Sequence, residues 1–258
     1  MLRHLALALL CLSAAATATA APRVDLTVID RERNDRLDEY RHRGDTWIAG
    51  TPGHRYAVRL HNRSPERVLV VLSVDGVNAV TGETAHPSQA GYVLEPWAST
   101  EVSGWRKSMR SVAQFVFTDL PDSYAARTGR PDNVGVIGVA VFEEARINFE
   151  DRHGPRPPAI ARSEGRDAST AAPAAQASRE SASQELGTGH GRREWSPVSR
   201  THFVRSTRHP IEVSELRYDD YRALVARGIV PRQHRRPHRD APRAFPDGFV
   251  ADPPRRNW

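Results

Sequence analysis

Val68-Leu69-Val70-Val71-Leu72-Ser73-Val74-Asp75-Gly76-Val77-Asn78-Ala79-Val80 is the stretch whose reading decides the fold class. Two β-branched runs flank an Asp-Gly pair. A two-residue type I′ hairpin needs φ > 0 at both central positions, which Asp-Gly tolerates, so the stretch predicts a β-hairpin. Segments of the same character recur on either side. Before it, Tyr56 to Leu60 alternates, and Val24, Leu26 and Val28 alternate with polar neighbours. After it, Thr81-Gly82 marks a turn, followed by Gly91–Leu94, Thr100–Arg106 and Val112–Thr118. In the last of these, Ala113, Phe115 and Phe117 share one face, because successive side chains of a strand alternate. Val134–Phe142 is a nearly continuous apolar run, the pattern of a central strand covered on both faces. Seven or eight short strands within residues 21–150 predict a mainly β fold, an antiparallel β-sandwich. Trp47, Trp97 and Trp105 supply aromatic bulk for its core, and a short helix is predicted around Ser123–Arg127, closed by Gly129 and Pro131.

The flanks of this domain read differently. Of the 258 residues, 39% are hydrophobic, below the roughly 45–50% of a packed domain, so part of the chain is not expected to pack. Residues 1–20 have the form of a signal peptide. Arg3 and His4 precede the apolar run Leu5–Leu12, and Ala18-Thr19-Ala20 is an A-x-A cleavage site. The apolar run is too short to span a bilayer. Cleavage there removes Cys11, the only cysteine, so the expected mature chain tolerates an oxidising compartment without forming disulfides. A periplasmic or secreted location follows as the expectation, with no transmembrane segment after signal removal.

Residues 151–186 are rich in Ala, Ser, Arg and Pro and hold two large aliphatics, Ile160 and Leu186. Such a stretch buries too little surface to offset its chain entropy and is expected to be a disordered linker. Residues 187–231 then read as a structured return segment. Alternation at Thr201, Phe203 and Arg205 predicts a short strand. Asp219 to Arg227 predicts a helix capped by Asp219, with Tyr221, Leu224 and Val225 on one stripe. Gly228 suits the position after its end, and Pro231 stops it. Nine residues of helix are not stable alone, so this stripe, with Ile229, is expected to dock on the sandwich or on a second chain. Residues 232–258 form a basic Pro/Arg-rich tail.

Charge divides along the same lines. Lys107 is the single lysine, so 36 of the 37 basic side chains are arginine. Net charge is +6, yet residues 22–150 are slightly acidic, and the excess of arginine lies in residues 151–258. An exported chain with this excess is expected to meet an anionic envelope component or another protein. Nucleic acid is not expected, since no binding motif accompanies the charge.

Gly91–Leu94, Gly104-Trp105-Arg106-Lys107-Ser108, the run Ser123 to Phe142, Leu186-Gly187-Thr188-Gly189-His190-Gly191 and Arg217–Val230 together resemble a family of exported bacterial proteins with no assigned activity. The resemblance spans both ordered parts and implies that they belong together. It implies no catalytic residue and no cofactor.

Motifs narrow the chemistry. GxSxG, SxxK, HExxH, the phosphate-loop motif and the dinucleotide motif are absent. His190, His202 and His209 match no compact zinc spacing, and His234 and His238 enclose Arg-Arg-Pro, so no metal or cofactor is expected. The most suggestive stretch is Gly187 to Glu194. Read as a loop, it offers backbone N–H groups and the charges of His190, Arg192, Arg193 and Glu194 to a ligand or anion. Equally, its glycines suit a linker end turning onto the sandwich. Two functions follow as expectations. One is a non-catalytic exported binding or cell-envelope interaction module. The other is a periplasmic hydrolase with its site where the Gly187–Glu194 loop meets the sandwich, which requires His190 to converge with an Asp, Glu or Ser.

Overall fold

The computed structural model describes residues 21–145 and 184–231. The N-terminal part supplies β1 (Val24–Asp30), β2 (Asp35–Arg36), β3 (Glu39–His42), β4 (Asp45–Gly50) and β5 (Arg55–Asn62). Next come β6 (Val68–Val74), β7 (Val77–Asn78), β8 (Tyr92–Leu94), β9 (Ser99–Val102), β10 (Gly104–Ser108) and β11 (Ser111–Asp119). A helical turn, α1 (Tyr124–Arg127), precedes β12 (Val136–Glu143). The C-terminal part adds β13 (Leu186–Trp195), β14 (Glu212–Asp220) and α2 (Tyr221–Ala226).

These strands form two sheets of seven, a β-sandwich. The first runs β10-β11-β5-β1-β2, with β13 on β11 and β9 on β5. The second runs β3-β4-β14-β12-β6-β7, with β8 on β6. The core lies between them: Tyr56, Val58, Leu60, Phe115 and Phe117 from one sheet meet Ile48, Leu72, Ile137 and Tyr218 from the other. The hairpin of β6 and β7 turns on Asp75 (φ 53°) and Gly76 (φ 72°), the two positive φ values of a type I′ turn. The apolar run at β12 is flanked on both sides, by β6 and β14.

The C-terminal part belongs to the same fold. β14 lies between β4 and β12, parallel to the former and antiparallel to the latter. β13 pairs with β11 along its whole length. The helix α2 is short, and its burial comes from packing. Leu224, Ile229 and Val230 are buried against Tyr40, Trp47 and Ala49 of β3 and β4, with Val225 half-buried beside them. Its C-terminus is a Schellman motif: Gly228 has φ 72°, and the Ile229 N–H donates to Leu224 O at 2.9 Å.

Several expectations need correction. The strand predicted at residues 201–205 is irregular apart from a bridge between Arg205 and Glu144. The strands lie on either side of it, where the alternation is masked by glycine in β13 and by charged residues in β14. Asp220, not Asp219, caps α2 by accepting from the Arg222 N–H at 2.7 Å. Tyr221 stands outside the buried stripe, 39% exposed at the rim beside Tyr40. Trp97 is not in the core either. It occupies the third position of a Glu95–Ala98 turn with φ 60° and points into solvent. Residues 187–194, expected as a loop, lie within β13. The segment expected to be a linker ends earlier than 186, because Gln184 Nε2 donates to Leu186 O and Tyr218 O, and Leu186 is buried in the core. The rest of that segment, the signal-like residues 1–20 and the tail 232–258 lie outside the described residues. Among the described residues no helix is long and apolar enough to cross a membrane.

Candidate functional site

β13 is the element on which the candidate residues converge, and its two halves are built differently. The first half is sealed. Its Leu186 N–H donates to Asp219 Oδ1 at 3.1 Å, and its Thr188 N–H donates to Asp75 Oδ2 at 2.7 Å. Both carboxylates are buried, so they stand where a further strand would otherwise satisfy the edge. Glycine allows the close fit. A Cβ at Gly187 would meet Ser123 Cβ at 2.6 Å and Val134 Cγ1 at 2.8 Å.

Behind this edge runs a chain of buried hydroxyls. Tyr56 Oη lies 2.5 Å from Thr188 Oγ1, and Thr188 Oγ1 lies 2.6 Å from Tyr218 Oη. Tyr218 Oη donates to Asp75 Oδ1 at 2.6 Å. One direction satisfies the whole series, with Tyr56 donating to Thr188, Thr188 to Tyr218 and Tyr218 to the carboxylate. The Gly135 N–H adds a further bond to Asp75 Oδ1. The chain joins both sheets, and two of its members come from the C-terminal part. Burial pushes the Asp75 carboxyl up to about 6, against the pull of these donors. Burial also raises both tyrosines well above their ordinary range. With every member buried, this chain organises the fold and offers no open site.

The second half of β13 is open. The register with β11 passes from Phe115↔His190 to Ala113↔Arg193, so one extra residue bulges at Gly191–Arg192. After the bulge, Glu194 turns to one face of the sheet. It makes a double ion pair with Arg31 at 2.7 and 2.9 Å and accepts from Gln114 Nε2 at 2.6 Å. The Arg31 guanidinium holds its carboxyl below the usual carboxylate range. Arg193 and Trp195 flank Glu194 and therefore face the other way.

His190 does not converge with Glu194. Its ring lies 5.5 Å from that of Tyr124, which also packs on Trp105. Burial lowers its pKa, and the neighbouring charges of Lys107 and Arg127 lower it further. The structure therefore brings His190 together with cations. Arg192 is exposed on the bulge.

A different histidine has a carboxylate partner. His54 Nδ1 lies 2.7 Å from Asp30 Oδ2. Asp30 Oδ1 also accepts from the Glu32 and Arg33 N–H groups, so the pair ties the turn before β5 to the turn after β1.

On the first sheet, ion pairs distinguish the open half of β13, although Arg41, Arg43, Arg208 and Arg222 elsewhere are likewise exposed and in no ion pair among the described residues. Arginines elsewhere on the first sheet and its loops are paired: Arg31 with Glu194, Arg55 with Glu32, Arg59 with Glu101 and Arg63 with Asp25. Lys107, Arg110, Arg127, Arg192 and Arg193 are exposed and make no ion pair with a carboxylate of the described residues. Arg130 is stacked 5.7 Å from the Tyr124 ring beside them. Sequence reasoning reached His190 and Arg193 through the glycine-rich run. It missed Lys107, Arg127 and Trp195, which chain folding brings to the same face. Comparison with protein-family models, with curated proteins and with solved structures gives no match to this chain.

Proposed function

We propose that this chain is a non-catalytic β-sandwich binding module of the cell envelope and that its ligand is anionic. The observation that carries the reading is the cluster of Lys107, Arg127 and Arg193 beside the His190 ring at the open half of β13, cations that make no ion pair among the described residues. Each uncompensated cation adds to the local potential, and an anion arriving there displaces no internal carboxylate. The arginine-rich second half of the chain and the signal-like residues 1–20 support an extracytoplasmic anionic partner.

Retention of the full-length chain on dextran sulfate beads tests the reading. The wild type is expected to bind at low salt and to be released as salt rises, because surface charges are screened. The double variant K107E/R193E is expected to lose most of that binding. The control R59E changes an exposed arginine that is already paired with Glu101 and is expected to bind like the wild type. Equal binding of K107E/R193E and the wild type overturns the reading and moves the basic contribution to another part of the chain.

A further inference from the structure

We propose that the anionic ligand of this face is a lipid bilayer surface, with Trp195 and Met109 entering the headgroup region. The inference rests on the anion-binding reading above and assigns its partner.

The face carries apolar groups as well as cations. Trp195 is 67% exposed, Met109 39% and Val198 37%. Their backbones adjoin: Trp195 stands opposite Ser111, and the Val198 N–H donates to Met109 O at 2.9 Å. Met109 forms the tip of the hairpin between β10 and β11, with Lys107 and Arg110 on either side of it. Trp195 shares its side of the sheet with Arg193, since both flank Glu194.

A soluble polyanion is held chiefly by the cations and gains little from an exposed methionine or valine. At a bilayer the same groups act together. The indole sits at headgroup level, where its apolar body and N–H are both satisfied. The methionine buries apolar surface, and the cations meet anionic headgroups. The lysine stem reaches along apolar surface while its ammonium stays wet. Strand addition by a partner protein is disfavoured at this edge. The bulge at Gly191–Arg192 bends it, and two adjacent arginines guard it.

Flotation of the full-length chain with phosphatidylcholine vesicles, with and without phosphatidylglycerol, tests the assignment. Comparison of each variant with the wild type holds any contribution of residues 1–20 or 232–258 constant. The wild type is expected to float with the phosphatidylglycerol vesicles and to stay in solution with phosphatidylcholine alone. Replacement of one cation, in K107Q or R193Q, is expected to weaken partitioning about fivefold. Loss of the indole in W195A is expected to weaken it about tenfold. Brominated lipid is expected to quench wild-type tryptophan fluorescence and to quench W195F less. Thermal unfolding of each variant verifies that it folds. If the wild type binds dextran sulfate through Lys107 and Arg193 but does not float, the lipid assignment falls and the anion-binding reading stands. If it floats and W195A and K107Q float equally well, the lipid assignment falls because another surface holds the membrane. If neither support retains it, both readings fall.

Discussion

Leu186–Thr188 and His190–Trp195 are two halves of one strand, yet their surroundings differ in nearly every respect. In the first half the outward N–H groups are taken by Asp219 and Asp75, and the side chains enter the core. In the second half a bulge breaks the ladder, and the side chains of His190, Arg192, Arg193 and Trp195 stand in solvent. A sheet edge can thus be closed in two ways, by buried carboxylates from the opposite sheet or by a bulge with charges. The first joins the strand to the fold. The second leaves a surface that another molecule can use.

The sharpest way to break this contrast is to attack the sealed half. Asp75→Ala leaves the Thr188 and Gly135 N–H groups and the Tyr218 hydroxyl without their acceptor, and is expected to cost about 4 kcal/mol in urea unfolding. Leu186→Ala opens a cavity beside Phe117 and is expected to cost about 3 kcal/mol. Both variants are also expected to loosen the C-terminal part, which gains its place partly through these contacts.

A pH series sharpens the contrast next. The folded-state pKa of Asp75 is raised from 3.8 to about 6, so the folded protein holds this proton more tightly than the unfolded chain. The associated stability is full below about pH 4 and is lost as pH rises through 6, on the order of 3 kcal/mol in all. Asp30 and Glu194 are shifted downward and act with the opposite sign, in the more acid range. The difference between the wild type and D75N, followed between pH 4.5 and about pH 7.5, isolates the Asp75 contribution. Histidine titration, including that of His190, is common to both proteins. A wild-type curve parallel to that of D75N would show that Asp75 stays ionised throughout.

The open half gives smaller effects. Glu194→Gln removes a half-exposed double ion pair, and its expected cost is about 1 kcal/mol, reduced by added salt. Trp195→Ala is expected to change stability by less than about 0.5 kcal/mol. A larger loss would mean that Trp195 packs within the fold and is not free to meet a ligand.

The hairpin at Asp75-Gly76 and the apolar run of β12 were legible in the sequence because local chemistry decides them. An αL-tolerant pair fixes the turn, and a strand with neighbours on both sides has no polar side to show. The C-terminal strands were hidden for physical reasons. β13 contributes glycines where β11 and α1 approach closely, so the side-chain pattern that marks a strand is missing. β14 buries chiefly Leu216 and Tyr218 among charged neighbours, too few to stand out. The identity of the helix cap was lost because two adjacent aspartates compete, and burial in the seam assigns Asp219 to the strand instead. His190 and Arg193 were readable as a local charge cluster. Their partnership with Lys107 and Trp195 was not, since it depends on which strand β13 pairs with.

The position of β14 also sets a schedule. Its partner β4 ends at Gly50, which pairs with Asp220 some 170 residues later. At about 5–20 residues per second, a chain made from its N-terminus waits roughly 10–30 seconds before the second sheet can be completed. During that interval β4 and β12 have a gap between them, and the Asp75 carboxylate lacks Thr188 and Tyr218. The growing chain is therefore held back from its final form until β14 has been made. The last strand to arrive acts as the latch of the second sheet.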